Sequence, residues 1–401
     1  MSTTVTSEQF AKATPAQVYY AFTHAMALHE WLCDFATVAP RPGGRMYLYW
    51  HGDFYSAGEY ISLEEDKSVK FKWCSRFDPA PSEVAVTLEE KKGGTLVKLA
   101  HTVPDGEDWQ KRAAGFKSEW DGTLPNLAAV LETGLDRRIF DRPMLGINIS
   151  DFSAEIAKAM GVPVTQGLRL DTVLETMGAY KAGLRKDDVL VQFNGKPTTN
   201  DFGSLVTALQ GKKGGDTVEV IFYRGPQKKT VTMELSKRPV PEVPWEPATL
   251  ARRVRRRYNQ SLAALKECFK GVSEAEADHE PAPGEWSAKQ TLAHLIHAER
   301  GVIANLDDVV GGYERLSDDW GGNLPAHSNA TVKAYKNVRG LLAELKRLSN
   351  ETVAFAAALP PEFVARRCSY LQVAWQMLEG QGHTMSHIEQ IKAAIAAARK
   401  S

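Results

Sequence analysis

The segment Pro239-Val240-Pro241-Glu242-Val243-Pro244 constrains this chain more than any other, because its prolines can neither continue a strand nor open a helix before Trp245. It separates two regimes of hydrophobic patterning. Before it, apolar residues alternate in short runs punctuated by glycine; after it, they recur at helical spacing over long stretches. With 401 residues the chain exceeds one ordinary core, and roughly three domains are expected.

Composition narrows the partners. Lysine and arginine number 49 and aspartate and glutamate 49, a formal net charge of +0, which leaves no bulk electrostatic attraction for nucleic acid or an anionic membrane. Cys33, Cys74, Cys268 and Cys368 form no CxxC pair, so neither a zinc knuckle nor a disulfide framework is implied. The first residues show no basic segment followed by an apolar one, and no window approaches about 18 uninterrupted apolar residues. A cytoplasmic protein without a membrane partner is expected.

Residues 1–136 read as the first domain. Thr14 as N-cap and Pro15 as first helical residue start a short helix. Alternating runs at 44–50, 55–61, 69–73, 84–88 and 95–99 then describe an antiparallel meander. From Asp108 to Glu132, Trp109, Phe116, Trp120, Leu124, Leu127 and Leu131 trace one long helix across the sheet. The segments Thr14-Pro15-Ala16-Gln17-Val18, Pro42-Gly43-Gly44-Arg45 and Trp120-Asp121-Gly122-Thr123-Leu124-Pro125-Asn126-Leu127, with Trp31, resemble the helix-grip α/β domains of the SRPBCC (START and birch-pollen-allergen) superfamily. Within it the likeness is to the activator of heat-shock-protein-90 ATPase. The resemblance implies a cavity for a small apolar ligand between sheet and long helix, with Trp50, Trp73 and Trp120 as candidate lining; as a plain reading they are core. His24, His29, His51 and His101 show no ligand spacing and receive no role.

Residues 138–238 read as the second domain, short strands punctuated by glycine around one amphipathic helix marked by Phe202, Leu205, Val206 and Leu209. The loop Leu145-Gly146-Ile147, the turn Ala182-Gly183-Leu184 and the run Val189-Leu190-Val191-Gln192-Phe193-Asn194-Gly195 resemble a β-barrel-like PDZ domain of the bacterial high-temperature-requirement protease type. That likeness implies capture of a peptide or protein C-terminus, with the carboxylate at Leu145, Gly146 and Ile147 and an apolar pocket shaped by Leu205 and Leu209. Asp187 stands where the family usually has glycine. No Gly-x-Ser-x-Gly segment occurs, so the companion protease is not expected.

After the connector at 239–244, residues 245–401 show helical patterns at 247–270, 287–308, 331–358 and 369–399, which suggest an all-α four-helix bundle in a multidomain α+β protein. In Arg252-Arg253-Val254-Arg255-Arg256-Arg257 the apolar stripe of Leu250, Val254 and Tyr258 leaves the arginines on solvated faces, not on nucleic acid. His383 and His387 lie four apart, one turn up a helix, where both imidazoles reach one cation, and His294 is the nominated third donor. Trp286-Ser287-Ala288-Lys289-Gln290-Thr291-Leu292-Ala293-His294-Leu295 and His383-Thr384-Met385-Ser386-His387-Ile388-Glu389-Gln390 together resemble the DinB/YfiT family. That resemblance implies a divalent metal on His294, His383 and His387, and activities of the thiol-dependent transferase, isomerase or hydrolase kind.

Three imidazoles leave a coordination position for water or a low-molecular-weight thiol. Zinc and nickel lead, with iron suited as well. Glu299, Glu389 and Gln390 are the candidates for orienting the imidazoles. The leading expectation is a metal-dependent thiol-transferase-type enzyme carrying ligand- and peptide-recognition modules. The alternative is an adaptor or sensor with an idle bundle, favoured by the lack of an evident general base. Whether two copies pair as a homodimer is left open.

Overall fold

The computed structural model describes residues 2–313 and 324–400. Residues 1–134 and 241–401 make one compact unit, and 135–240 a second.

In the first unit the chain opens with β1 (Thr3–Ala11), α1 (Pro15–Thr23), α2 (Ala25–Trp31), β2 (Phe35–Val38), β3 (Arg45–Trp50), β4 (Phe54–Glu64), β5 (Ser68–Ser75), β6 (Ser82–Lys91), β7 (Gly94–Val103) and α3 (Glu107–Thr133). The sheet order β1-β7-β6-β5-β4-β3-β2 is antiparallel throughout; β2 to β7 form a meander, and β1 returns to pair with β7. Thr14 and Gln17 cap α1 reciprocally. The core holds Phe22, Trp31, Leu48, Tyr60, Phe71, Leu99 and Leu124. β1 and β2 escape the alternation test: β1 lies at the sheet's end and buries only Ser7 and Ala11, and β2 has four residues.

A polar thread runs through this core. Trp120 Nε1 donates to His101 Nδ1 (3.1 Å), His101 Nε2 meets Ser82 Oγ (2.7 Å), and Ser82 donates to the Trp73 carbonyl (3.1 Å). An indole N–H can only donate, so Nδ1 must accept and Nε2 carries the proton. His101 is fully buried, and desolvation lowers its pKa to about 4.

The second unit contains α4 (Arg137–Phe140), β8 (Ile147–Ser150), α5 (Ala154–Met160), β9 (Leu168–Val173), α6 (Gly178–Lys181), β10 (Val189–Phe193), β11 (Lys196–Pro197), α7 (Phe202–Ala208), β12 (Thr217–Arg224) and β13 (Gln227–Glu234). Its sheet runs β13-β12-β10-β9-β8, with β11 beside β10, so β8 is terminal. Asp187 takes φ +69, a conformation natural to glycine, and its carboxylate is held by Arg169 at 2.6 Å. Asp188, fully buried, binds Arg224 and the Arg185 N–H.

The first unit resumes with α8 (Pro247–Cys268), α9 (Glu274–Asp278), α10 (Ala288–Gly311), α11 (Pro325–Tyr335), α12 (Val338–Ala357), α13 (Pro361–Ala365), α14 (Arg367–Ser386) and α15 (Ile388–Ala398). The bundle is α8, α10, α12 and the α14–α15 pair. Arg252, Arg253, Arg255 and Arg256 are exposed while Leu250, Val254 and Tyr258 are buried. Two expected helices are broken: 331–358 divides at Lys336, which takes φ +63, and Asn337 caps α12; 369–399 divides at His387.

The bundle interior has two apolar clusters, one around Leu265, Leu292, Leu345 and Ile391, the other around Val254, Leu306, Val353 and Tyr370. Between them lies Glu299, which accepts hydrogen bonds from Tyr258 of α8 and Thr352 of α12, each at 2.5 Å. The bundle is also continuous with the helix-grip core. Cys368 belongs to the core cluster of Trp31 and Leu127, Ser369 donates to Glu30, and Arg366 donates to the Tyr20 hydroxyl (2.9 Å). Gly134 ends α3 at φ +77, where a Cβ would come within 2.6 Å of the Arg367 carbonyl oxygen. The proline connector therefore divides the sequence without dividing these two cores.

Between about pH 6.5 and 4 the unfolded chain takes up a proton on His101 that the folded chain refuses. The stability present above that range is lost as pH falls through it, by up to about 3 kcal/mol. Thermal melts across this range should show the loss, and His101→Gln, which keeps a donor and an acceptor without titrating, should flatten the acid limb.

Candidate metal centre

Ser287 caps α10 through the Gln290 N–H, and Gln290 returns a bond to the Ser287 N–H at 2.7 Å, which fixes the rotation of this helix from its first residue. His294 follows from it. On the opposite side α14 delivers His383 in its last turn. His387 is the joint to α15, and its N–H reaches back three residues to the Thr384 carbonyl at 3.3 Å, a tightened turn. The break falls on a candidate ligand, yet His383 and His387 keep their rings 4.7 Å apart.

The three Nε2 atoms converge. His294 and His383 are separated by 3.0 Å and His383 and His387 by 3.1 Å; ligand atoms of all three lie within 4.8 Å of one another. Metal–nitrogen bonds of about 2.0–2.1 Å at tetrahedral angles set neighbouring nitrogens ~3.3 Å apart, and the two pairs that share His383 are within a few tenths of an ångström of that spacing. His387 Nδ1 donates to Gln390 Oε1 at 2.7 Å, which puts its lone pair on Nε2, facing the other two rings. Desolvation by the surrounding protein, then the neighbouring His387 and His294 imidazoles, lower the His383 pKa. The donor set fits a divalent cation. His383 is exposed and the other two half-buried, so the cluster opens toward solvent.

Trp286 packs its ring 5.1 Å from His294. It shares with Gln390 the wall of a cavity of about 440 Å³ that also includes Glu285, Pro281 and Ala393. No spacing rule singles out Trp286 in the sequence; its place immediately before the capping Ser287 is the available signal.

Of the three residues expected to orient the imidazoles, Gln390 is in contact. Glu299 is instead committed to Tyr258 and Thr352, with burial raising its pKa, and Glu389 is largely exposed and paired with Lys392 at 2.8 Å. His297 is turned to Thr331 and stacks on His327.

In the second unit, Gly146 takes φ +75, and a Cβ there would lie 2.2 Å from Met177 Cβ. Its carbonyl accepts from Leu174 N–H (2.8 Å) and that of Leu145 from Ala179 N–H (3.3 Å), anchoring the loop. Leu145, Ile147, Leu205 and Leu209 share one apolar cluster. Leu205 is only 1% exposed and packs in the core, and Leu209 is half-buried. The outward face of α7 is Phe202 and Val206, 53% and 49% exposed.

Trp50, Trp73 and Trp120 come together between sheet and α3, around a cavity of about 360 Å³ with Phe116 and Glu119. Burial raises the pKa of Glu119, with Asp78 adding to the effect.

Sequence models of three families match the chain in order: Activator of Hsp90 ATPase homolog 1-like protein over residues 12–132, PDZ domain over 143–235 and DinB superfamily over 239–391. This is the three-module order read from the sequence. Similar curated proteins include a probable periplasmic serine endoprotease DegP-like of Marinomonas sp. (strain MWYL1), 31% identical over 98 residues, covering 24% of this chain and 21% of that protein. Another is the periplasmic pH-dependent serine endoprotease DegQ of Escherichia coli (strain K12), 34% identical over 97 residues, with coverages of 24% and 21%. The chain spans about a fifth of these relatives' length, and the likeness is to their PDZ region. Among solved structures, CalU16 from Micromonospora echinospora aligns with 22% identity and a TM-score of 0.28 over 32% of this chain and 73% of that one. The Aha1 dimer from Colwellia psychrerythraea aligns with 20% identity and a TM-score of 0.29 over 32% and 96%.

Zinc titrated calorimetrically into metal-stripped protein should bind at one site per chain. His383→Ala should abolish that heat without lowering the melting temperature of the rest, and Gln390→Leu should weaken zinc roughly 10- to 100-fold by freeing the His387 ring. Unchanged affinity in both variants would place the ion elsewhere.

Proposed function

We propose that the chain is a metal-dependent enzyme of the thiol-transferase kind, with the His294–His383–His387 cluster as its reactive centre and the other two domains as recognition modules. The observation that carries this reading is the convergence of three imidazole nitrogens, one of them locked in the ligating tautomer by Gln390. A zinc, nickel or iron ion held there supplies Lewis acidity, favouring the deprotonated form of a thiol or water within its reach. The chain's own residues contribute the rest. Gln390 orients His387, and Trp286 forms a wall of the adjoining cavity where an electrophilic acceptor can lie beside the cluster.

The terminal position of β8 and the Gly146 loop support a second element of the reading, addition of an extended peptide whose C-terminal carboxylate meets the backbone around Leu145–Ile147. The tryptophan-lined cavity between sheet and α3 suits a small apolar molecule.

The alternative, an adaptor without turnover, is favoured by one observation: Glu299 and Glu389, the carboxylates expected near the cluster, are bonded elsewhere.

Two experiments decide. Metal-loaded protein incubated with a panel of small thiols and electrophilic acceptors should form the thioether product, and metal removal or His383→Ala should abolish it. Full metal occupancy with no product from any thiol supports the adaptor. Separately, a peptide library should be bound through free C-termini and lost on C-terminal amidation; Gly146→Val, which drives a side chain into Met177, should abolish binding, while Val206→Asp should weaken it by altering the open face of α7.

A further inference from the structure

A cavity of about 640 Å³ lies where α1 and α2 face the end of α10, α13 and the start of α14. Its walls are mostly apolar, with Tyr20, Trp31, Val130 and Phe363 prominent. A space of this size takes a drug-sized molecule. The polar groups on it are unequal in their commitments. Arg366 gives its guanidinium to the Val309 and Val310 carbonyls (2.8 and 2.7 Å) and to the Tyr20 hydroxyl (2.9 Å), closing the C-terminus of α10. Arg367 lies over the Trp245 ring at 4.8 Å. His24 stacks on Tyr20, and desolvation lowers its pKa.

Glu30 differs. Half-buried on the cavity wall, it accepts a hydrogen bond from the Ser369 hydroxyl at one carboxylate oxygen. Burial raises its pKa to about 7, against the lowering effects of Ser369 and Arg366. A carboxylate that is expensive to leave in an apolar setting becomes favourable once a cation neutralises it there, and aromatic faces add to the attraction. Both guanidinium groups are held in place by these other contacts, which leaves the Glu30 carboxylate as the charge-bearing acceptor on the wall.

We propose that this cavity binds a small primary amine on a compact apolar body, its ammonium held by Glu30 and its body against Tyr20 and Leu131. The site is independent of the metal centre and of the reaction assigned to it.

The test is calorimetric titration of the full chain with 2-phenylethylamine, 2-phenylethanol and phenylacetate, at a mildly alkaline pH where Glu30 is ionised and the amine still protonated. The amine should bind about tenfold or more tightly than the alcohol, as an added charge-assisted bond implies, and the acid should not bind. Glu30→Gln should remove the preference for the amine. Ala16→Trp, a large residue placed from an exposed position of α1 that lines the cavity, should block binding of both molecules; thermal melts of each variant report whether it remains folded. Tighter binding of phenylacetate, equal binding of amine and alcohol, unchanged amine affinity in a folded Glu30→Gln protein, or no binding at all would overturn the proposal.

Discussion

Three imidazoles on separate helical segments meet at one point only if the helices cannot rotate against one another. An apolar bundle interior tolerates such rotation, because one leucine packs nearly as well as another. The contact of Glu299 with Tyr258 and Thr352 removes that freedom, tying α8, α10 and α12 at one level between two apolar clusters. A misrotated bundle would leave a buried carboxyl and hydroxyls without partners, at roughly 1–3 kcal/mol each. Lys289, nearly buried and paired with Asp278 and Glu274, holds the start of α10 in the same way. Geometry at the imidazole cluster thus depends on polar groups that never touch it.

The helix-grip half uses a similar device. Trp73, Ser82, His101 and Trp120 form a directed chain of hydrogen bonds across its core, with a histidine that must stay neutral to serve both neighbours. It sits beside the cavity that the same tryptophans line, so that cavity's wall is held in place by bonds as well as by packing.

Local patterns made the helix-grip strands, the glycine-marked turns of the second unit and the three histidines legible in the sequence, since each rests on spacing within a few residues or on a motif. What was illegible depends on contacts distant in sequence. β1 carries polar residues on both faces because it lies at the sheet's end, so alternation could not reveal it. Leu205 and Val206 are neighbours on one helix, and only the packing shows that the first is core and the second faces outward. Glu299 lies near His294 in sequence but finds its partners on other helices. The breaks at Lys336 and His387 fall on neither proline nor glycine, Gly340 and Gly382 lying four and five residues away.

The least predictable feature is α14. Twenty residues make it about 30 Å long. Cys368 and Ser369 in its first turn are sealed against the helix-grip core, while His383 in its last belongs to the imidazole cluster. Excising the bundle at the proline segment would therefore leave a wound: the root of this helix would be stripped of its cover, and fraying there would run along the same rod that carries an imidazole of the cluster at its tip. The C-terminal half is better regarded as grafted onto the N-terminal one than as a detachable bead on a string.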